Sequence, residues 1–239
     1  MPVSGLALAA SAAVRAASLN LCTDELLLLL ARPEEIVSVS HLGRDPLESS
    51  LWREARRHPA NNGSLEGVVA RRPTLVLTMG GGGRASGLIA RRLGIRVLDL
   101  AYPASLKDLE TQAQQVAVAL GDRDRARPLA AALQQLQRSG PTRLIDGAYL
   151  AGGGLSLAPD SLAAEWLRLA GVRQRALPGN RLTLEMLATN PPKLLIASDY
   201  RRRQASRGTA WLNHPLVRRL RYRMMVTDGR PWTCAGLPM

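Results

Sequence analysis

Phenylalanine is absent from this 239-residue chain, and tyrosine and tryptophan contribute four residues each. Aromatic platforms on which successive nucleobases could stack are therefore scarce. Lysine is nearly as rare. Only Lys107 and Lys193 occur, so arginine supplies almost all of the 32 basic residues behind the net charge of +13. The arginines are scattered along the chain rather than gathered in a tail or stripe, which argues against a nucleic-acid footprint. Compositional bias is one reading of the charge, and attraction to anionic ligands or surfaces is the other. The three histidines, His41, His58 and His214, show no metal-ligand spacing, and Cys22 and Cys234 lie far apart, so no resident metal or cofactor is expected. No Gly-x-Ser-x-Gly turn and no phosphate-loop lysine occur, which weighs against a serine hydrolase and a P-loop enzyme. Long apolar runs are also missing. A membrane helix needs about 20 such residues, whereas the richest stretch, 26–31, is short and follows the helix-start pair Thr23-Asp24.

What is present begins with an apolar run over residues 6–14, followed by small residues around Val14-Arg15-Ala16. Apart from the missing basic n-region, this has the look of a secretory signal; a simple apolar tail or first helix is the other reading. Residues 1–16 are accordingly set apart as a signal peptide or its remnant. Export would place the chain in an oxidising compartment and make Cys22 and Cys234 candidates for one disulfide. Without export they read as buried thiols.

Downstream, apolar β-branched runs alternate with capped helical stretches. Strands are expected at 18–21, 36–39, 74–78 and 95–100, with helices between them. Ser105 and Asp108 form a helix-opening box, and a long helical stretch breaks at Gly121-Asp122 and resumes over 123–138. After Ser139-Gly140-Pro141 the pattern restarts, with strands at 143–149, 193–198 and 223–227. Strands alternating with helices predict an α/β fold with mainly parallel sheets. The expected organisation is an N-terminal lobe over 17–122, a bridging helix over 123–140 and a C-terminal lobe over 141–239.

The two halves share a phrase. Ser64-Leu65-Glu66, then Pro73 and the strand from Thr74, correspond without a gap to Thr183-Leu184-Glu185, then Pro192 and the strand from Lys193, 119 positions later. Asn61 and Asn180 match as well. In each copy a hydroxyl caps a short helix that carries a carboxylate in its first turn, where the helix dipole favours it. Two similar lobes, rather than a solenoid, are the expectation.

At these residues the chain resembles the periplasmic binding proteins for iron–siderophore complexes and vitamin B12, the helix-bridged class that feeds ABC importers. The resemblance rests on Ser18-Leu19-Asn20-Leu21-Cys22-Thr23-Asp24-Glu25-Leu26, on Ile36-Val37-Ser38-Val39-Ser40, on Asn62-Gly63-Ser64-Leu65-Glu66, on Leu93-Gly94-Ile95-Arg96-Val97 and on Leu167-Arg168-Leu169-Ala170-Gly171. It implies two lobes joined by one long helix, with a ligand cleft between them and little closure. It implies a non-enzymatic, periplasmic, monomeric solute carrier whose ligand is a ferric siderophore, a corrinoid or a heme-like molecule that itself carries iron or cobalt. The partner it implies is a membrane permease dimer, docked through Glu66 and Glu185. In the family the chain continues past a Trp-x-Cys-x-Gly-like segment, here Trp232 to Gly236, into a final helix; this sequence ends at Met239.

Clefts of open α/β sheets form beyond the carboxyl ends of the strands. The candidate ligand groups are therefore Asn20, Thr23, His41, Asn61, Asn62, Arg84 and Tyr102 in the first lobe. In the second lobe they are Tyr149, Tyr200, Arg201 and Trp232, beside a Gly152–Gly154 loop. Two rival readings remain: nucleic-acid binding, on charge alone, and a cofactor-linked enzyme. Gly80-x-Gly82 after a strand, with Asp99 ending the next strand, imitates the dinucleotide fingerprint of an NAD(P)-linked enzyme.

Overall fold

The computed structural model describes residues 13–81, 84–199, 210, 214–220, 222–234 and 236–237. Two parallel sheets organise it. The first comprises β1 (Ala16–Ser18), β2 (Ile36–Ser40), β3 (Ala60–Asn61), β4 (Leu75–Met79) and β5 (Arg96–Leu100), in the order β3-β2-β1-β4-β5. The second comprises β6 (Ile145–Leu150), β7 (Val172–Gln174), β8 (Leu194–Asp199) and β9 (Arg223–Asp228), in the order β7-β6-β8-β9. Without the two-residue edge strand β3, the two orders are the same: β2-β1-β4-β5 corresponds to β7-β6-β8-β9.

Helices cover both faces of each sheet, as parallel strands require. On one face of the first sheet lie α1 (Leu21–Leu30), α2 (Trp52–Ala55) and α5 (Leu106–Ala119), packed on Ile36, Leu75, Leu77 and Leu100. On the other lie α3 (Glu66–Val69) and α4 (Arg84–Arg92), over Ala17, Val76 and Ile95. In the second sheet, α7 (Leu162–Leu169) covers Tyr149 and Ile196. The opposite face takes α8 (Leu184–Thr189) and α9 (Pro215–Arg219), over Ala148, Leu150 and Leu195.

Between the sheets the chain passes through a short 3-10 turn, Arg123–Ala126, into α6 (Arg127–Arg138). The break at Gly121 falls where φ is +86°, a conformation natural to glycine. The crossing is fastened to the first lobe by Arg125, whose guanidinium grips both oxygens of Glu35 at 2.5 and 2.8 Å. Leu106 and Leu109 of α5, Leu133 of α6 and Leu162 of α7 then form a core shared by the two lobes. One side of the molecule, with α1, α5, α6 and α7, is thus the hinge side; α3, α4, α8 and α9 face the open side.

Three expectations shift. The first strand is Ala16–Ser18 rather than 18–21, because Asn20 caps α1: its Oδ1 accepts the Thr23 amide at 3.0 Å, so Leu21 already starts the helix. A leader ending at residue 16 would cut into that strand. Ala16 is fully buried and pairs with both β2 and β4, and the Arg15 guanidinium is bound to the Arg71 and Arg72 carbonyls. Residues 1–12 of the proposed leader lie outside the described residues. Finally, β3 and β7 are unannounced in the sequence, since two or three residues are too few to show alternation.

Candidate functional site

Loops leaving the carboxyl ends of one sheet touch those leaving the other. The Leu106 amide, after β5, donates to Glu165 Oε2 of α7 at 2.6 Å. Arg230, after β9, donates to the Pro46 carbonyl beyond β2 at 2.7 Å. Cys22, after β1, is disulfide-bonded to Cys234, with Cα atoms 5.1 Å apart. The carboxyl edges of the two sheets therefore face one another, and the space between them is the cleft where a ligand of an open α/β sheet sits. A hollow of about 620 Å³ lined by Ile145, Lys193, Leu194, Tyr222 and Arg223 opens at the opposite, amino end of the second sheet. It is not this cleft.

The candidate residues divide into those exposed near the carboxyl ends of the strands, those that shape turns there and those that are buried. His41 is exposed at the end of β2. Tyr102, two residues past β5, is 70 % exposed. Its ring lies over Gly80 so closely that a Cβ at that position would come within 2.5 Å of Cε2. Asn20 and Asn62 shape turns. Asn20 is the cap already described, and Asn62 Oδ1 accepts from the Ser64 amide and hydroxyl at 3.2 and 3.0 Å.

Three candidates are structural instead. Thr23 is fully buried, its hydroxyl 2.7 Å from Ser18 Oγ. Asn61 is buried, and its Nδ2 donates to Ser18 O, Ser38 Oγ and Val39 O at 2.8–2.9 Å while Oδ1 accepts from the Gly63 amide. A polar group placed in a core must find such partners; here they knit the ends of β1, β2 and β3 together. Tyr149 is only 3 % exposed, and burial pushes its phenol above the usual tyrosine range. Its ring lies 5.0 Å from that of half-buried Trp232, inside the second lobe. The Arg84 side chain, Tyr200 and Arg201 fall outside the described residues.

Glu66 and Glu185 are both exposed, and both lie on the open side, in the first turns of α3 and α8. Hydrogen bonds from its own backbone amide and from the Thr183 hydroxyl hold the Glu185 carboxyl below the usual glutamate range. The two glutamates thus occupy equivalent places on equivalent elements.

Sequence reasoning missed the acidic pair behind the cleft. Asp24 is buried and accepts from the Ser40 amide at 2.9 Å and the Ser40 hydroxyl at 2.5 Å; even so, burial raises its carboxyl to about 7. Glu25 is 1 % exposed and raised to about 8, by burial first and then by Asp24. Its Oε2 has no hydrogen-bond partner among the described residues. Two adjacent acids inside an apolar helix were a visible signal. Also missed was Asp228-Gly229-Arg230, a charged pair two residues apart in which Asp228 clamps the Arg230 guanidinium.

The dinucleotide reading finds no support. The Asp99 carboxylate accepts from the Gly81 amide of its own glycine loop at 3.3 Å. Among the described residues no three His, Cys, Asp or Glu side chains gather to hold a metal ion, and no helix is long and apolar enough to cross a membrane.

Comparison with known proteins decides the family. The family model described as periplasmic binding protein matches residues 17–138. The chain belongs to the periplasmic binding protein family. Periplasmic binding proteins of this kind are solute carriers of ABC importers and not enzymes. Among solved structures, the periplasmic heme-binding protein HutB of Vibrio cholerae is 20 % identical, with 91 % of this chain and 90 % of that one covered at a TM-score of 0.71. The periplasmic heme-binding protein RhuT from Roseiflexus sp. RS-1 is 21 % identical over 90 % and 89 % of the two chains, at 0.64. S. aureus IsdE, solved with heme, is 13 % identical over 94 % of each, at 0.66. At these identities the likeness is one of fold. No curated protein sequence matches. As a periplasmic binding protein, the chain has its two-lobed α/β architecture in common with these neighbours.

Proposed function

We propose that this periplasmic binding protein captures a heme-like metal tetrapyrrole between its lobes and delivers it to a membrane permease. The observation that carries the ligand class is Tyr102, an exposed phenol held at the carboxyl edge of the first sheet by its contact with Gly80. Tyrosine and histidine are both established axial ligands of heme iron. His41 is the other exposed group of this kind on that edge, but β2 and β5 are separated by two intervening strands. At about 4.8 Å per strand the two groups start roughly 14 Å apart, and of the two it is the Tyr102 ring that Gly80 holds in place. Tyr102 is the proposed metal contact, and His41 lies toward the ligand's periphery. The heme-binding names of three structural neighbours support the same class over corrinoids and ferric siderophores.

Delivery is assigned to Glu66 and Glu185. Carboxylates at matched places on two similar lobes suit a permease built as a symmetric dimer, which a single copy of this chain would straddle. The disulfide favours work in an oxidising compartment outside the cytoplasm.

Titration of the oxidised protein with hemin, followed by the Soret band, tests the ligand. The wild type is expected to saturate with one equivalent, and Tyr102→Ala to lose the shifted band. Saturable binding of cobalamin or a ferric siderophore with no response to hemin would replace this ligand class.

A further inference from the structure

Besides the α5–α7 contact of Leu106 with Glu165, the chain itself joins the two lobes twice among the described residues. The first link is the α6 crossing. The second is made by the residues that follow β9, which return from the second lobe to the first and are anchored alternately to both. Asp228, at the end of β9, grips the Arg230 guanidinium through Nε at 3.0 Å and Nη2 at 2.5 Å. The free edge of that guanidinium points into the first lobe, where Nη1 donates to Pro46 O at 2.7 Å and Ser49 O at 3.4 Å. Trp232 then packs back on Tyr149 in the second lobe. Cys234 is covalently bound to Cys22 at the start of α1, 212 positions earlier. Leu237 ends the return, packed on the first lobe's core and on the apolar cluster shared by α5, α6 and α7.

All these contacts lie on the hinge side, with α1, α5 and α7. A single helical link between two rigid bodies permits both bending and twisting about its axis. A second link beside it suppresses the twist and leaves one motion, an opening about the line joining the links. We infer that Cys22, Cys234 and Arg230 are positioning residues. They hold the lobes in one register, so that the cleft keeps its shape and the open-side glutamates, Glu66 and Glu185, keep their spacing while no ligand is bound.

The placement implies sensitivity to thiols. A dithiol reductant would transfer two electrons and two protons to the disulfide, leaving Cys22 and Cys234 as thiols and the reductant as its own cyclic disulfide. Among the described residues, the second link would then rest on Arg230 and Leu237.

The test needs no ligand, so its failure is separable from failure of the heme reading, on which only the functional consequence rests. Spin labels are attached through p-acetylphenylalanine at Ala70 and Thr189, on the open side of each lobe, and their distance distribution is measured by electron–electron double resonance on the full chain. The oxidised protein is expected to give one narrow distribution. Reduction is expected to broaden it and extend it to longer distances, and reoxidation to restore it. Circular dichroism at the measuring temperature confirms that the lobes stay folded. Arg230→Met in the oxidised protein is expected to broaden the distribution partially, with Arg230→Lys recovering part of the loss, and this keeps the test decisive if the reduced chain unfolds. An unchanged distribution in both the reduced protein and Arg230→Met would overturn the inference.

Discussion

Ser64 and Thr183 make the same hydrogen bond 119 positions apart. Ser64 Oγ accepts the Gly67 amide at 3.2 Å, and Thr183 Oγ1 accepts the Met186 amide at 3.3 Å. Each hydroxyl accepts an amide in the first turn of a short helix that carries a glutamate there, and each helix is followed by a parallel strand: β4 from Leu75 and β8 from Leu194, again 119 positions apart. The equivalence extends from sequence to backbone geometry to the order of the sheets.

Charge reversal of that matched pair is the first prediction. Glu66→Lys with Glu185→Lys should abolish transport in proteoliposomes carrying the cognate permease and leave ligand affinity unchanged by spectroscopic titration. Both side chains are exposed, so the fold should tolerate the change. Loss of ligand binding together with transport would remove the docking assignment.

The Tyr102–Gly80 contact gives the second. Gly80 has φ +75°, and a Cβ there would strike the tyrosine ring. Gly80→Ala should destabilise the first lobe by about 1–2 kcal/mol through the left-handed backbone and also displace Tyr102. Denaturant unfolding reads the first effect and hemin affinity the second. Tyr102→Phe should lose affinity with no stability change, which separates the two.

The buried acids set a pH dependence. Asp24 and Glu25 hold their protons in the folded chain up to about 7 and about 8, whereas in the unfolded chain they release them near pH 4. Between these limits the folded state binds more protons, so stability falls as pH rises. The contribution is full below pH 4 and lost by about pH 8. The midpoint of thermal unfolding should therefore drop between pH 5 and pH 8.5, and Glu25→Gln should flatten the slope. A slope unchanged in Glu25→Gln would show that the carboxyl does not titrate in this range.

The opposite sign holds for Glu35. The Arg125 guanidinium holds its carboxyl below the usual glutamate range. The stability it supplies is present above about pH 4.5 and disappears as pH falls through the depressed folded value. Arg125→Met leaves a mostly buried carboxylate unpaired at the root of the interlobe crossing, and should destabilise by roughly 3 kcal/mol. Urea unfolding at pH 7 measures this, and the difference from wild type should shrink toward pH 3.

Much of this protein was legible along the chain. Capped helices, prolines and β-branched runs fixed nearly all the elements, because these signals act within a few residues of where they occur. The Ser/Thr-Leu-Glu phrase disclosed the two lobes, because a duplicated local structure leaves a duplicated local pattern. Roles that depend on distant neighbours were another matter. Asn61 and Asn180 match in sequence, yet Asn61 is buried in a network joining three strands and Asn180 is exposed at φ +49°. Tyr149 and Tyr102 both lie near strand ends, yet only Tyr102 faces solvent, because Trp232 folds back from 83 residues away to cover Tyr149. The sequence by itself determined the two α/β halves and the pair of glutamates they present. Only the tertiary structure decided that Cys22 meets Cys234 and that Arg230 reaches Pro46, since a contact across 212 or 184 positions is set by how the two lobes dock rather than by anything adjacent in the chain.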